Sequence, residues 1–190
     1  MRSIPILCRS KNRPYHLLVV LDRQPVLCSD MLLLRPLATS DFDTLYGIAS
    51  DPLVWEQHPS KDRVQGPVFR QWFREALASQ GAVVAVDRSN GEVIGTSRYV
   101  PHGQDAVEIG WTFLARSRWG GTWNGEMKRL MLDHAFGSVS TVVLTVHEDN
   151  WRSQRAVERL GAIRVGASPD VHARGENVVF HLRRDRAHDA

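Results

Sequence analysis

The stretch Glu108-Ile109-Gly110-Trp111-Thr112-Phe113-Leu114, followed almost at once by Arg116-Ser117-Arg118-Trp119-Gly120-Gly121-Thr122-Trp123-Asn124-Gly125, decides how this chain is read. Its first half has period two. Val107, Ile109, Trp111 and Phe113 fall on one face of an expected strand over 105–114, and Glu108, Gly110 and Thr112 on the other. A lone carboxylate in so apolar a strand is costly to bury unless it is paired, solvated or functional, and Arg98 of the preceding strand is one available partner. The second half is a Gly-bearing loop that opens a helix over about 122–136, where Met127, Leu130, Met131 and Ala135 recur at helical spacing. Paired glycines before a helix let backbone N–H groups approach an anion, and the helix dipole adds positive potential; an ordinary strand-to-helix turn uses two glycines equally well. Neither Gly-Lys-Ser/Thr nor Gly-x-Gly-x-x-Gly occurs, so no Walker loop or dinucleotide fingerprint is present.

Working upstream, Ala82–Asp87 and Glu92–Val100 flank Ser89-Asn90-Gly91, a hairpin signal that calls for positive φ at the turn. Before it, a helix from Pro67 to Gln80 carries Phe69, Trp72, Phe73 and Leu77 on one face. An irregular segment over 52–66 precedes that helix and contains Trp55 and His58. The first strand is Met31–Leu37; Ser40 then reads as a helix N-cap, with Asp41 and Asp43 in the first turn and Asp51-Pro52 at the end. Downstream come a buried strand at Thr141–Val146, a helix from Asn150 to Gly161, and strands near 162–166 and 176–183. Asn150 and Gly161 serve as helix caps on the simplest reading.

Composition bounds the rest. The 190 residues suit one domain with a full core. Of 24 basic residues, Arg2, Arg9, Lys11 and Arg13 lie in an acid-free arm over 1–21, leaving 20 basic against 21 acidic residues in the body. That body carries no basic stripe of the kind a nucleic-acid binder needs, so nucleic acid and membrane are not expected partners. The arm's longest apolar run, Leu17–Leu21, is too short for a signal h-region or a membrane span. Residues 1–24 are therefore an extension, poorly ordered or docked at an edge, and 25–190 form the domain. Cys8 and Cys28 read as reduced thiols of a cytoplasmic protein, with no zinc site.

Taken together, three ordered segments resemble the GCN5-related N-acetyltransferase (GNAT) superfamily, within it the branch of the ribosomal-protein N-terminal acetyltransferases. They are Glu108-Ile109-Gly110-Trp111, then Trp119-Gly120-Gly121-Thr122-Trp123-Asn124-Gly125-Glu126, then Asn150 and Ser153 with Glu158-Arg159-Leu160-Gly161. The opening Leu32-Leu33-Leu34-Arg35-Pro36-Leu37 and the run Gly91–Arg98 match the same branch, so the resemblance covers about 25–183.

The resemblance implies a mixed α/β fold: a mostly antiparallel central sheet, splayed between its fourth and fifth strands, with helices on both faces and acetyl-coenzyme A in the split. Trp119, Gly120, Gly121, Thr122, Trp123 and Asn124 would cradle the pyrophosphate, with Arg118 beside them. Phe113 and Leu114 would hold the pantetheine and acetyl carbonyl, with Asn150 opposite. Glu108 stands at the general-base position and Ser153 near the sulfur. Trp55, His58 and Trp72 would wall the acceptor. The implied reaction is direct acetyl transfer to a primary amine, either a protein N-terminus or a small molecule, without a metal, by a monomer or homodimer. A coenzyme-A-binding sensor without turnover is the alternative. This chain departs from the branch at Thr122 and Asn124, where Gly and Ala are usual, at Ala162, where Phe is usual, and at Val157, where many superfamily members have an acidic Tyr. His147 is a further acid candidate.

Overall fold

The computed structural model describes residues 20–170 and 175–186. Residues 1–19 of the basic arm, Cys8 among them, lie outside the described residues. Residues 21–24 are docked on the body: Leu21 packs against the core, Arg23 Nη1 donates to Ser79 O, and Asp22 O meets the His134 ring. Cys28, expected as a reduced thiol, is disulfide-bonded. Reading the thiols from the presumed compartment said nothing about whether chain geometry brings a partner to this one.

Among the described residues eight strands form one sheet in the order β1-β2-β3-β4-β5-β6-β8-β7. They are β1 (Leu27–Cys28), β2 (Leu32–Pro36), β3 (Ala82–Asp87), β4 (Val93–Pro101), β5 (Ala106–Leu114), β6 (Thr141–His147), β7 (Ile163–Pro169) and β8 (Glu176–Arg183). Every pairing is antiparallel except β5 with β6. Helices α1 (Phe42–Ala49) and α2 (Gly66–Ala78) cover one face. Helices α3 (Trp123–Ala135) and α4 (Trp151–Glu158) cover the other. The expected mixed α/β architecture is the one observed; counting β1, the splay falls between β5 and β6.

The hairpin between β3 and β4 closes on Gly91 at φ 76°, and no other residue of that turn takes positive φ. Ser40 does not cap α1. A 3-10 turn over Thr39–Asp41 intervenes, and Asp41 turns inward to accept from Arg35 (2.6 and 2.8 Å) and from the Ala38 N–H (2.8 Å). Burial alone would raise this carboxyl, but the Arg35 and Ala38 hydrogen bonds outweigh it and hold it below the ordinary range. Its contribution to stability is therefore present above the ordinary Asp range and is lost as pH falls through the lowered value. Asp41→Ala is expected to cost about 1–3 kcal/mol in urea denaturation at pH 7, because the Ala38 N–H loses its acceptor and Arg35 its counter-charge.

The sheet opens where β5 parts from β6. Only Ala106, Val107 and Glu108 pair with β6, opposite Thr141, Val142 and Val143. Beyond Glu108, β5 follows β4 as far as Leu114, while β6 follows β8 as far as His147. From Ile109 onward, then, the β6-facing edge of β5 has no strand partner. A β-bulge lies on this free stretch. The register slips between Thr96 and Arg98, and Trp111 takes φ 52°, a left-handed conformation that bulky residues avoid.

The bulge corrects the alternation expected for β5. Val107 and Ile109 face the α3 side, as does Leu114, while Trp111 and Phe113 face the α2 side. Thr112 also reaches the α3 side, where it meets Lys128. One extra residue reverses every side chain beyond it, because the strand period is two. As a result Trp111 and Phe113 leave the face of Ile109 and join the aromatic cluster of α1 and α2.

Candidate active site

Glu108 sits at the apex of the split, the last β5 residue paired to β6. Its carboxylate leans over Gly110: a methyl group at Gly110 would lie 3.7 Å from Glu108 Oε1. Arg98 lies directly opposite Gly110 on β4, yet its side chain forms no ion pair with the Glu108 carboxylate. The Arg98 guanidinium instead lies over two indoles, with Cζ 5.1 Å from the Trp111 ring and 5.6 Å from the Trp72 ring.

At the outer end of β5 the loop turns into α3. Gly120 takes φ 73°, which an L side chain would resist, and Trp119 Nε1 donates to Leu114 O (3.1 Å), tying the loop to the strand end. Among the described residues no backbone N–H from Gly120 to Gly125 finds a protein acceptor; the next bonded one is Glu126, to Thr122 O. Six consecutive donors at the N-terminus of a 13-residue helix are therefore free to hold an anion. The Thr122 side chain is directed to Met31, its Oγ1 lying 3.8 Å from the sulfur. Trp123 and Asn124 occupy the first turn of α3. Arg118 is already spoken for. It pairs with Asp87 (3.0 Å) and Glu92 (3.1 Å) and lies over Trp123, so it anchors the loop to the β3–β4 hairpin.

Across the split, Asn150 is buried and caps α4, its Oδ1 accepting from Ser153 N (3.2 Å). Ser153 is half-buried beside it. Val157 lies in the apolar core, which leaves no acid at the position where many superfamily members carry Tyr. His147 is buried, with Nδ1 accepting from Asp149 N–H. Arg152, which sequence reading overlooks, joins the two sides. Its backbone N–H donates to Gln57 Oε1, and Nη2 donates to Val54 O. Its guanidinium lies 3.9 Å over the Trp119 ring.

The three expected acceptor-wall residues are brought together. Trp55, buried and donating to Ala49 O (2.7 Å), meets His58 edge-on at 5.4 Å. Both Trp55 and Trp72 contact Phe113, at 5.2 and 5.5 Å between ring centroids. The residues expected to wall the acceptor thus touch the strand expected to hold the acetyl group. Burial, with the neighbouring Arg63 cation, drives the His58 imidazole down to about 3, so the ring is neutral at physiological pH. Arg63 escaped the sequence reading because it lies in a segment without periodicity, and only the tertiary fold lays it against Trp55 and Trp72.

Residues 31–163 match the model of the Acetyltransferase (GNAT) domain family. A search of curated proteins gives no match. Among solved structures, a GCN5-related N-acetyltransferase from Brucella melitensis superposes with a TM-score of 0.76 at 18% identity, over 88% of this chain and 81% of that one. Mycobacterium smegmatis RimJ in complex with CoA-disulfide gives 0.63 at 20%, over 81% and 82%. The ribosomal-protein-S5-alanine acetyltransferase of Vibrio fischeri gives 0.65 at 16%, over 85% and 98%. At these identities the likeness shows the fold. Among the described residues no helix is long and apolar enough to cross a membrane.

Proposed function

Because this chain belongs to the acetyltransferase (GNAT) domain family, we propose that it transfers an acetyl group from acetyl-coenzyme A directly to a primary amine bound against Trp55, His58 and Trp72. One observation carries the reading: an unpaired strand edge and a row of free N–H groups lie at the two ends of a single split. The neighbour solved with a CoA disulfide supports coenzyme A as the ligand. The N–H groups from Gly120 to Asn124 would hold its pyrophosphate, while Phe113, Leu114 and Asn150 would hold its pantetheine arm. When bound, it supplies an acetyl group activated as a thioester.

The remaining chemistry belongs to the chain. Glu108 takes a proton from the acceptor ammonium, directly or through a water, so that the amine presents a lone pair. A backbone N–H near Leu114 donates to the acetyl oxygen as negative charge gathers there. Ser153 would stand by the sulfur, where its hydroxyl could hydrogen-bond the thiolate released as the C–S bond breaks and free coenzyme A departs. The aromatic wall excludes water and orients the amine.

Asn124→Pro tests the phosphate cradle. Proline fits the first turn of a helix and deletes one N–H that has no partner in the protein. The expected result is acetyl-coenzyme A affinity weakened about tenfold, the loss of one charge-assisted hydrogen bond, with circular dichroism unchanged. Unaltered affinity by calorimetry would move the phosphates elsewhere. Thiol release over a panel of amines and peptides tests the reaction itself; binding without turnover of any member would make the chain a coenzyme sensor instead.

A further inference from the structure

Among the described residues, three buried side-chain N–H groups have no acceptor: Arg98 Nε, Arg98 Nη2 and Trp72 Nε1. Trp72 is one of the expected wall residues, and Arg98 covers its ring. Arg98 is only 7% exposed, and no carboxylate lies within ion-pair distance. A second cation stands beside it. Arg63 Cζ is 5.2 Å from the Trp55 ring and 5.9 Å from the same Trp72 ring that Arg98 covers. Arg63 also forms no ion pair among the described residues, and burial lowers its basicity.

Among the described residues, the one side-chain nitrogen or oxygen within hydrogen-bond distance of Arg63 is not an acceptor. His58 Nδ1 accepts from Ser60 N–H (3.0 Å), which leaves the ring hydrogen of the neutral imidazole on Nε2. Nε2 lies 3.3 Å from Arg63 Nη1, so two donors face each other. Cation–π contact engages the flat faces of the guanidinium groups and leaves their N–H edges unspent. Five donor groups from Arg98, Trp72, Arg63 and His58 thus line one aromatic box; among the described residues none of the three buried ones on Arg98 and Trp72 has an acceptor, and the carboxylates of Asp62, Glu75 and Asp170 act on the two cations only from beyond ion-pair distance. Burying the unpaired Arg98 cation with a second, half-buried one beside it is unfavourable unless a ligand completes the site.

We propose that the acceptor amine carries an oxyanion, a carboxylate or phosphate, which binds between Arg98 and Arg63 while its amino group faces Glu108. The inference rests on the acetyl-transfer reading and narrows its substrate class. Arg98 is paired with Gly110 across β4 and β5, and the Glu108 carboxylate lies over that same glycine. Anion site and base are therefore neighbours on one face. A guanidinium fork matches a planar oxyanion through two parallel hydrogen bonds, which makes Arg98 the main determinant.

The test uses matched acceptors with acetyl-coenzyme A: alanine, alaninamide and ethylamine; tryptophan, tryptophanamide and tryptamine; phosphoethanolamine and ethanolamine. The oxyanion-bearing member of at least one set is expected to exceed its neutral partners in kcat/KM by about 10- to 100-fold, the worth of a charge-assisted pair. Whether the carboxylate or the phosphate set responds tells which oxyanion is bound. Arg98→Met keeps the apolar stem and should shrink that preference to within about threefold, chiefly through KM. Arg63→Gln serves as the second variant if the first lowers the melting temperature. Tryptophan fluorescence, titrated with the compounds that carry no indole and without coenzyme, reads binding alone. Arg98-dependent quenching by the oxyanions without thiol release would keep the anion site and overturn acetyl transfer. Equal turnover of charged and neutral partners, or a uniform loss across each set in Arg98→Met, would overturn the anion site and leave acetyl transfer standing. Neither quenching nor turnover with any compound would overturn both.

Discussion

Glu108→Gln is expected to lower kcat about 100- to 1,000-fold, with the KM for acetyl-coenzyme A changed less than about twofold. The amide keeps the size of the carboxylate and its place over Gly110 but cannot take a proton. The proposed coenzyme contacts lie further along, at Leu114 and the loop that opens α3, so binding should survive. The pH profile adds a second signature. With the base gone, turnover depends on amine already deprotonated in solution, so the residual rate should climb about tenfold per pH unit below the acceptor's own pKa. A variant with near-normal kcat and an unchanged profile would remove Glu108 from the reaction and leave it as a polar residue at the apex of the split.

The second large effect concerns stability. Lys128, on α3, is 6% exposed and forms no ion pair among the described residues. Its Nζ donates to Thr112 Oγ1 (2.7 Å) and Ser97 Oγ (3.4 Å), directly beneath the β5 bulge. Burial drives this amine down to about 7 from 10.5. The sign follows from proton counts. Between about pH 7 and 10.5 the unfolded chain holds the proton and the folded chain does not, so stability rises with pH across that window. Below pH 7 the folded state carries the full cost of a buried charge.

Lys128→Met fills the space without the charge, and Ser97 and Thr112 still satisfy each other at 2.8 Å. The variant is expected to be more stable by about 2–4 kcal/mol at pH 6–7.5, with the gain shrinking toward zero near pH 10. Urea denaturation at pH 6, 7.5 and 9.5 checks both the size and the slope. A gain that does not vary with pH would mean that packing, not charge, sets the difference. Holding a lysine here at such a cost concentrates polar groups under the one strand residue with left-handed backbone, which is where stability is given up for a shaped site.

Much of this was legible in the sequence. The strand order of the middle region follows from period-two runs broken by Asn90-Gly91, and α3 follows from Met127, Leu130 and Met131 at helical spacing. The Trp119–Asn124 loop, Asn150 and Glu108 stood out because local chemistry marks them: glycines before a helix, an Asn at a helix start, a carboxylate among apolar neighbours. Other features had no local signal. Asp41 reads as a dipole-favoured first-turn acid, yet it is drawn inward by Arg35, six residues away. Arg118 reads as a phosphate ligand, yet two acids from the β3–β4 hairpin hold it.

By itself, then, the sequence determined the elements, their order and the family, since these depend on periodicity, turn residues and motif spacing carried by neighbours in the chain. Tertiary structure alone decided which side of the sheet each β5 residue faces. A single inserted residue at Trp111 reverses the alternation, and no propensity announces it. It also decided the cation–aromatic cluster proposed to meet the acceptor. Arg63, Trp72, Arg98 and Trp111 come from four separate elements, and their charges and rings interact only once α2 and the turn before it close over the bulged strand.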